Sequence, residues 1–302
     1  MDLNDDFLAM RRIHEVSNKL CHPESLNTVW HNPSQDAPMP SLDVLSEIMG
    51  RLRVALFPGF YGTTRVWRES IGYHLSANLD TIYRLLSEQI RRGYCFSREG
   101  NEGCTDCAKR GKQAASMLID ELPHIRELLV SDSVAGYEGD PAATSPGETI
   151  FCYPSMYAMT HHRIAHVLYK NHVPLIPRII SEMAHSQTGI DIHPGADIGR
   201  RFFIDHGTGV VIGETCIIGE NCRLYQSVTL GALSFPKNSD GTLTKGNLRH
   251  PILEDNVTVY AGATILGRIT VGTGAVIGGN VWVTTDVPPH ARITQEKAHR
   301  EQ

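Results

Sequence analysis

Aliphatic residues recur at every sixth position through the second half of the chain. They form three runs: Ile192, Ile198, Ile204 and Val210; Ile212, Ile218, Leu224 and Leu230; and Leu253, Val259, Ile265, Val271, Ile277 and Val283. A period of six matches neither an α-helix nor an isolated strand, whose side chains repeat about every 3.6 and 2 residues. It predicts a left-handed parallel β-helix of hexapeptide repeats, in which three short strands make one coil and each repeat places one aliphatic side chain inside.

The first half of the chain instead has the three- and four-residue spacing of amphipathic helices. The predicted helices cover residues 1–20, 42–56, 71–93, 117–129, 157–169 and 176–185, with a Gly- and Cys-rich loop at 99–111. The last helix is expected to cover the open end of the β-helix. We therefore predict an α+β fold with three parts: a helical domain at 1–187 that is partly irregular over 1–40, a β-helix domain at 188–290, and a short tail at 291–302.

A polar, glycine-containing segment at 231–250 interrupts the repeat. A solenoid accommodates such an insertion by looping it out from a corner, where it can reach a neighbouring subunit. The loop ends in the pair Arg249-His250, so we expect it to deliver these two side chains.

The composition is that of an ordinary globular protein of 302 residues, with a net charge of -5. Nucleic-acid and anionic-membrane binders favour a basic face, so we expect neither partner. No apolar run reaches the roughly 18 residues of a membrane span, and the N-terminus has no signal-peptide pattern, so we expect a cytoplasmic protein. The seven cysteines are scattered. Cys95, Cys104 and Cys107 could seed a metal site, but we favour incidental thiols.

A cluster of polar residues is grafted onto the repeat: Asp140, Asp191, Asp205, His206, Arg249 and His250. Asp191 and His206 lie fifteen positions apart, which is close to one coil, so we expect them near each other on successive turns. An aspartate beside an imidazole fixes its tautomer and leaves the other nitrogen free to act as a base. The alternative is a solvent-facing corner histidine beside structural aspartates.

Five segments within residues 136–290 carry motifs beyond the repeat. They read TGIDIHPGA at 188–196, DHGTGVVIGET at 205–215, QSVTLG at 226–231, RHP at 249–251 and AGATILG at 261–267. These motifs resemble the serine O-acetyltransferase family of hexapeptide acyltransferases. The resemblance implies transfer of acetyl from acetyl-CoA to the hydroxyl of L-serine, which gives O-acetyl-L-serine for cysteine biosynthesis.

The resemblance also implies catalytic roles. His206 corresponds to the general base and Asp191 to its orienting partner, while His250 corresponds to a second active-site histidine from the adjacent subunit. Direct transfer then needs no enzyme nucleophile, because the base removes the hydroxyl proton as the oxygen attacks the thioester.

Three further residues correspond to the family's ligands for serine. Asp140 and Asp205 are the implied serine-binding carboxylates, and Arg249 is the implied ligand of the substrate carboxylate. The chemistry agrees, because a zwitterionic amino acid needs anionic groups beside its ammonium and a guanidinium beside its carboxylate.

Small residues along one edge of the coil are candidates for the acetyl-CoA groove, because they let the pantetheine arm approach the backbone. They are Ala261, Gly262, Gly278 and Gly279. Corner geometry alone is the alternative explanation. A backbone amide near Gly231, or His250, is the candidate donor to the oxyanion. Val276 stands where the family pattern has a lysine, so one contact to the CoA phosphates is either missing or supplied elsewhere, for which Lys237, Lys245 and Arg268 are candidates.

The resemblance implies a homo-oligomer, either a trimer or a dimer of trimers, and no metal. L-cysteine resembles L-serine closely enough to compete as a feedback inhibitor. Residues 300–302 lack the isoleucine through which many family members dock into cysteine synthase, so we expect no such complex.

Three other functions remain open from the sequence. A hexapeptide acetyltransferase could act on homoserine or a sugar, although two carboxylates and an arginine favour an amino acid. A zinc hydratase of the γ-carbonic anhydrase kind would use three histidines, for which His193, His206 and His250 are available. A non-catalytic scaffold is the third alternative.

Overall fold

A computed structural model describes residues 3–26, 29, 38–62, 67–96 and 105–295 of the chain. The chain divides into two compact units, Met1–Pro38 and Met39–Gln302. The first unit contains helices α1 (Leu3–Leu20) and α2 (Pro23–Leu26).

Six helices precede the strands of the second unit: α3 (Leu42–Leu56), α4 (Ile71–Phe96), α5 (Thr105–Gly139), α6 (Pro146–Cys152), α7 (Pro154–Lys170) and α8 (Ile176–Thr188). Ser41 caps α3 as its sequence suggests, because its hydroxyl accepts a hydrogen bond from the Val44 amide at 3.3 Å. Within the described residues, no helix is both long enough and apolar enough to cross a membrane.

The predicted loop at 99–111 is wrong in its second part, because α5 already begins at Thr105. Two glycines explain the difference. A Cβ on Gly111 would lie 2.6 Å from the Ser87 carbonyl oxygen, and one on Gly93 would lie 2.9 Å from that of Pro174. These glycines therefore allow close packing of helices and do not mark their ends. Cys104 lies outside the described residues.

The second part of the chain winds into a parallel β-helix, because each coil adds one short strand to each of three sheets. The first sheet has the order β1 (Asp191–Ile192), β4 (Val211–Ile212), β7 (Thr229–Gly231), β10 (Thr264–Leu266), β13 (Trp282–Val283). The second has the order β11 (Thr270–Val271), β8 (Ile252–Leu253), β5 (Ile217–Ile218), β2 (Asp197–Ile198). The third has the order β14 (Arg292–Ile293), β12 (Val276–Ile277), β9 (Thr258–Val259), β6 (Arg223–Leu224), β3 (Phe203–Ile204).

The aliphatic residues of the repeat form the interior of this coil. All fourteen are buried, with no more than 7% of any of them exposed. Strand β14 extends the coil into residues 292–293, which the sequence had assigned to the tail.

The inserted segment leaves the coil after β7 and returns at β8, as predicted from the break in the repeat. Its tip is a small hairpin in which Lys237 and Leu243 form an antiparallel bridge. Strands β7 and β10 still pair in register across the insertion, with Thr229 opposite Thr264.

A buried ion pair joins the helices to the first coil. Arg163 of α7 donates two hydrogen bonds to Asp132 of α5, from Nε at 2.8 Å and from Nη2 at 2.9 Å. The same guanidinium donates to the carbonyl oxygens of Ile198 and Gly199. Asp132 also accepts the backbone N–H of Phe202 at 3.0 Å. The pair thereby fixes two helices against the start of the β-helix.

Candidate active site

The candidate residues lie at two corners of the coil, one on each side of the first sheet. The His206 corner comprises residues 205–210 and the stacked segments 225–228, 260–263 and 278–281. The His250 corner comprises residues 193–196, 213–216, 231–251 and 267–269.

His206 sits at its corner with a left-handed backbone, at φ +58°. Few residues other than glycine adopt this conformation, which turns the chain sharply and exposes the side chain. The His206 side chain is 72% exposed, and its Nε2 lies 3.9 Å from a carboxylate oxygen of Asp205. Asp205 is itself largely buried, with 16% of its side chain exposed.

Asp140 reaches the same corner from the helical layer, directly after the end of α5. Its Oδ1 accepts the Ala142 N–H at 2.8 Å, and its Oδ2 accepts a short hydrogen bond from the Tyr153 hydroxyl. Chiefly the Tyr153 hydrogen bond, with the Ala142 amide and the nearby charge of His206, holds the pKa of the Asp140 carboxyl below its ordinary value. The structure therefore brings Asp140, Asp205 and His206 together. Sequence reasoning missed Tyr153.

Asp191 begins β1, one coil before His206. Among the described residues His206 pairs with Asp205, and no hydrogen bond or ion pair joins it to Asp191. The Asp191 carboxylate approaches α8, where one of its oxygens lies within 4.8 Å of a carboxylate oxygen of Glu182 and of a ring nitrogen of His185. Glu182 is already engaged there, because His185 Nδ1 lies 3.2 Å from its carboxylate and Arg178 pairs with it. The pairing of Asp191 with His206 stays a prediction.

His250 is buried at its own corner, with 7% of the residue exposed. The ring lies over Gly213, where a Cβ would be 2.0 Å from its Cδ2. Its Nδ1 accepts the backbone N–H of Thr215 at 3.1 Å. Burial, and then the charge of Arg249, lower the pKa of His250 to about 4. The ring is therefore neutral at neutral pH, and since Nδ1 is an acceptor, the proton is on Nε2.

Arg249 is held by a carboxylate that the sequence did not identify. Its Nη2 lies 2.6 Å from Glu214, which also accepts a hydrogen bond from the Tyr169 hydroxyl at 2.8 Å. Burial alone would raise the pKa of Glu214, but the Arg249 and Tyr169 hydrogen bonds outweigh it and lower this pKa. In this structure the Arg249 guanidinium is thus paired within its own chain.

The two corners lie at opposite edges of one sheet. Strands rise about 3.3 Å per residue, so the roughly six residues that cross the sheet separate the corners by about 20 Å. His206 and His250 of one chain therefore belong to different clusters. The same separation keeps the three histidines of the zinc alternative apart, because His193 lies at the His250 corner.

The small residues proposed for an acetyl-CoA groove line up with His206 on successive coils. A Cβ on Gly262 would lie 2.2 Å from the Asn280 side-chain oxygen, and one on Gly279 would lie 3.1 Å from the Ala261 carbonyl oxygen. A Cβ on Gly278 would lie 2.9 Å from the Ile293 carbonyl oxygen. Close stacking of the coils alone accounts for these glycines.

Gly231 belongs to the other corner. It ends β7, and a Cβ there would lie 2.9 Å from the Leu266 side chain. It lies one coil after Gly213, because Ile212 pairs with Leu230, and the His250 ring covers Gly213. Gly231 is thus close in the fold to the His250 cluster and remote from His206.

The chain is thus a three-sided parallel β-helix beside a helical layer, with acidic and histidine clusters at two of its corners. No protein-family model matches the chain. A serine acetyltransferase of Synechococcus elongatus, described as plasmid-borne, is 50% identical over 262 residues, which cover 85% of this chain and 82% of the relative. One from Bacillus licheniformis is 50% identical over 162 residues, covering 54% of this chain and 71% of the relative.

Among solved structures, Entamoeba histolytica serine acetyltransferase 1 in complex with L-cysteine superposes with a TM-score of 0.73. It is 38% identical in sequence, and the match covers 87% of this chain and 90% of that one. The chain belongs to the serine acetyltransferase family, and the protein is an acyltransferase.

Proposed function

We propose that the protein transfers acetyl from acetyl-CoA to the hydroxyl of L-serine, giving O-acetyl-L-serine for cysteine biosynthesis. The observation that carries the proposal is the convergence of Asp140, Asp205 and His206 at one corner. Two carboxylates suit the ammonium group of serine, and an exposed imidazole beside them suits its hydroxyl. In this proposal the coil is a left-handed β-helix of hexapeptide repeats.

His206 is the proposed general base. It takes the proton from the serine hydroxyl while that oxygen attacks the thioester carbonyl. The tetrahedral intermediate then expels the CoA thiolate, which receives a proton and leaves as the free thiol. Asp191 is the proposed orienting partner, which requires its carboxylate or the His206 ring to turn from the positions described above.

His250 is the proposed donor to the oxyanion of the intermediate. A neutral ring with its proton on Nε2 supplies a directed N–H without a permanent charge, and its hydrogen bond to Thr215 fixes the orientation. Arg249 is the proposed ligand of the serine carboxylate. It must then share its guanidinium between that group and Glu214, which its five N–H donors allow.

The distance between the corners supports a site shared by two subunits. About 20 Å separates His206 from His250 in one chain, whereas both must contact the same serine. A head-to-tail ring, as in a trimer or a dimer of trimers, brings the His250 corner of one subunit to the His206 corner of the next.

Mixed assemblies provide a test of the shared site. We expect His206→Ala and His250→Ala to be inactive separately, and co-expressed subunits to regain roughly a quarter of wild-type activity, because about that fraction of random interfaces pairs two intact histidines. Co-expression of His206→Ala with Asp140→Asn is the control, since both residues belong to one corner and no intact site results. Recovery in the control, or none in the test mixture, would contradict the shared site.

Acetyl-CoA is the proposed second substrate, lying along the edge formed by Ala261, Gly262, Gly278 and Gly279. The small residues along that edge support this position, because a larger side chain there would block the pantetheine arm. L-cysteine is the proposed feedback inhibitor. It differs from L-serine only by sulfur in place of oxygen, and the Entamoeba relative was solved with it bound.

Acetyl-CoA consumption with a panel of acceptors tests the proposed reaction. We expect release of free CoA with L-serine to exceed that with homoserine, a hexose or no acceptor by at least about tenfold. The reason is that the two carboxylates bind the ammonium group and Arg249 binds the carboxylate, which leaves the serine hydroxyl at the correct distance from the base. Preferred use of homoserine or a sugar would contradict the serine assignment. Hydration of carbon dioxide to bicarbonate by a zinc-bound form of the protein would contradict acetyl transfer.

A further inference from the structure

Tyr153 lies between the end of α6 and the start of α7, outside every motif that resembles the family. Its hydroxyl donates a short hydrogen bond to Oδ2 of Asp140. Its ring packs against Phe203, with ring centroids 6.4 Å apart. Phe203 belongs to β3, the strand that leads directly into Asp205 and His206. The tyrosine therefore contacts Asp140 directly, and it packs on the strand that leads into Asp205 and His206.

The hydroxyl is surrounded by acidic groups. Burial and the hydrogen bond to Asp140 raise the pKa of Tyr153, and the charges of Glu148 and Asp205 raise it further. The phenol consequently keeps its proton and remains a donor. Asp140 is anionic at neutral pH, because this hydrogen bond and the Ala142 amide stabilise its charged form and lower its pKa.

The two hydrogen bonds also fix the orientation of the Asp140 carboxylate. Tyr153 occupies one lone pair of Oδ2, and the Ala142 N–H occupies one of Oδ1 at 2.8 Å. Each oxygen retains an accepting position for a substrate ammonium. Without the phenol, only the backbone amide would restrain a side chain on an exposed turn.

We propose that Tyr153 is a positioning residue that orients the Asp140 carboxylate toward the ammonium group of the acceptor amino acid. The inference rests on the proposed function, because it presupposes that Asp140 binds serine. Tyr153 acts through Asp140 and does not contact the reacting atoms.

Tyr153→Phe tests the inference, since it removes the hydroxyl and keeps the ring packed on Phe203. We expect the KM for L-serine to rise about tenfold, as for loss of a hydrogen bond to a charged group, with the KM for acetyl-CoA unchanged. We also expect kcat at saturating serine to stay within about twofold of wild type, because Tyr153 acts on binding through Asp140 and does not contact the reacting atoms. Tyr61→Phe is the matched control, since that phenol donates to the Ile150 carbonyl oxygen away from the site.

A double-mutant cycle with Asp140→Asn separates positioning from general damage. In the Asp140→Asn protein, adding Tyr153→Phe should not change the serine KM further. An equal rise in both backgrounds, or a fall in kcat with an unchanged serine KM, would overturn the inference and leave the proposed function intact. If Asp140→Asn itself leaves the serine KM unchanged, Asp140 does not bind serine, and both the site assignment and the inference fail.

Discussion

His206→Ala is expected to lower kcat for serine acetylation by a factor of about a hundred to ten thousand, the range typical of a general base. The loss of activity is expected without a loss of stability, because the His206 side chain is 72% exposed and contributes little to packing. Initial rates of CoA release with saturating serine and acetyl-CoA measure the effect. Thermal unfolding should show a folded protein.

The chain offers a closely matched control for this substitution. His290 is also an exposed corner histidine with a left-handed backbone, at φ +60°, but it lies at another corner of the coil. His290→Ala therefore imposes the same backbone strain without touching the proposed site. Near wild-type turnover in His206→Ala, or an equal loss in His290→Ala, would remove His206 from its assigned role.

Arg163→Met is expected to destabilise the protein by about 3–5 kcal/mol, which is the cost of leaving one partner of a buried ion pair unneutralised. Asp132 would remain buried, with only 1% of its side chain exposed and only the Phe202 amide to stabilise it. The free energy of unfolding in urea measures the loss. Because Arg163 also holds the first coil, catalytic activity should fall before global unfolding.

Two further variants show whether charge is responsible for that loss. Arg51→Met breaks a surface pair with Glu47, whose side chains are 38% and 47% exposed, and should cost no more than about 1 kcal/mol. Asp132→Leu combined with Arg163→Met removes both charges and should recover part of the stability. A loss in Arg163→Met no larger than that in Arg51→Met would contradict a stabilising role for the buried pair.

The period of six predicted the coil well, because one buried aliphatic side chain per strand is a requirement of every repeat. Glycine was less informative. Gly93 and Gly111 were interpreted as a helix end and a loop, whereas both lie inside helices at close contacts with distant backbone. The sequence alone does not distinguish these uses, since each depends on what packs against the glycine.

The sequence predicted which residues form the candidate site better than it predicted the contacts between them. The first coil brings Val211 opposite Asp191, which places His206 at the corner just before this strand, and the pairing of the two side chains stays a prediction. Tyr153 and Glu214 were missed because their partners are distant along the chain and belong to other elements. Such pairings follow from tertiary packing, which periodicity does not encode.

Thr215 of the coil fixes the end of the inserted segment in place. Its hydroxyl accepts the backbone N–H groups of both Arg249 and His250, at 3.0 and 3.1 Å. The coil itself therefore positions Arg249 and His250 at the end of the insertion, whereas the hairpin around Lys237 is exposed. We expect that this hairpin can be shortened or extended as an independent module while the Arg-His pair keeps its place.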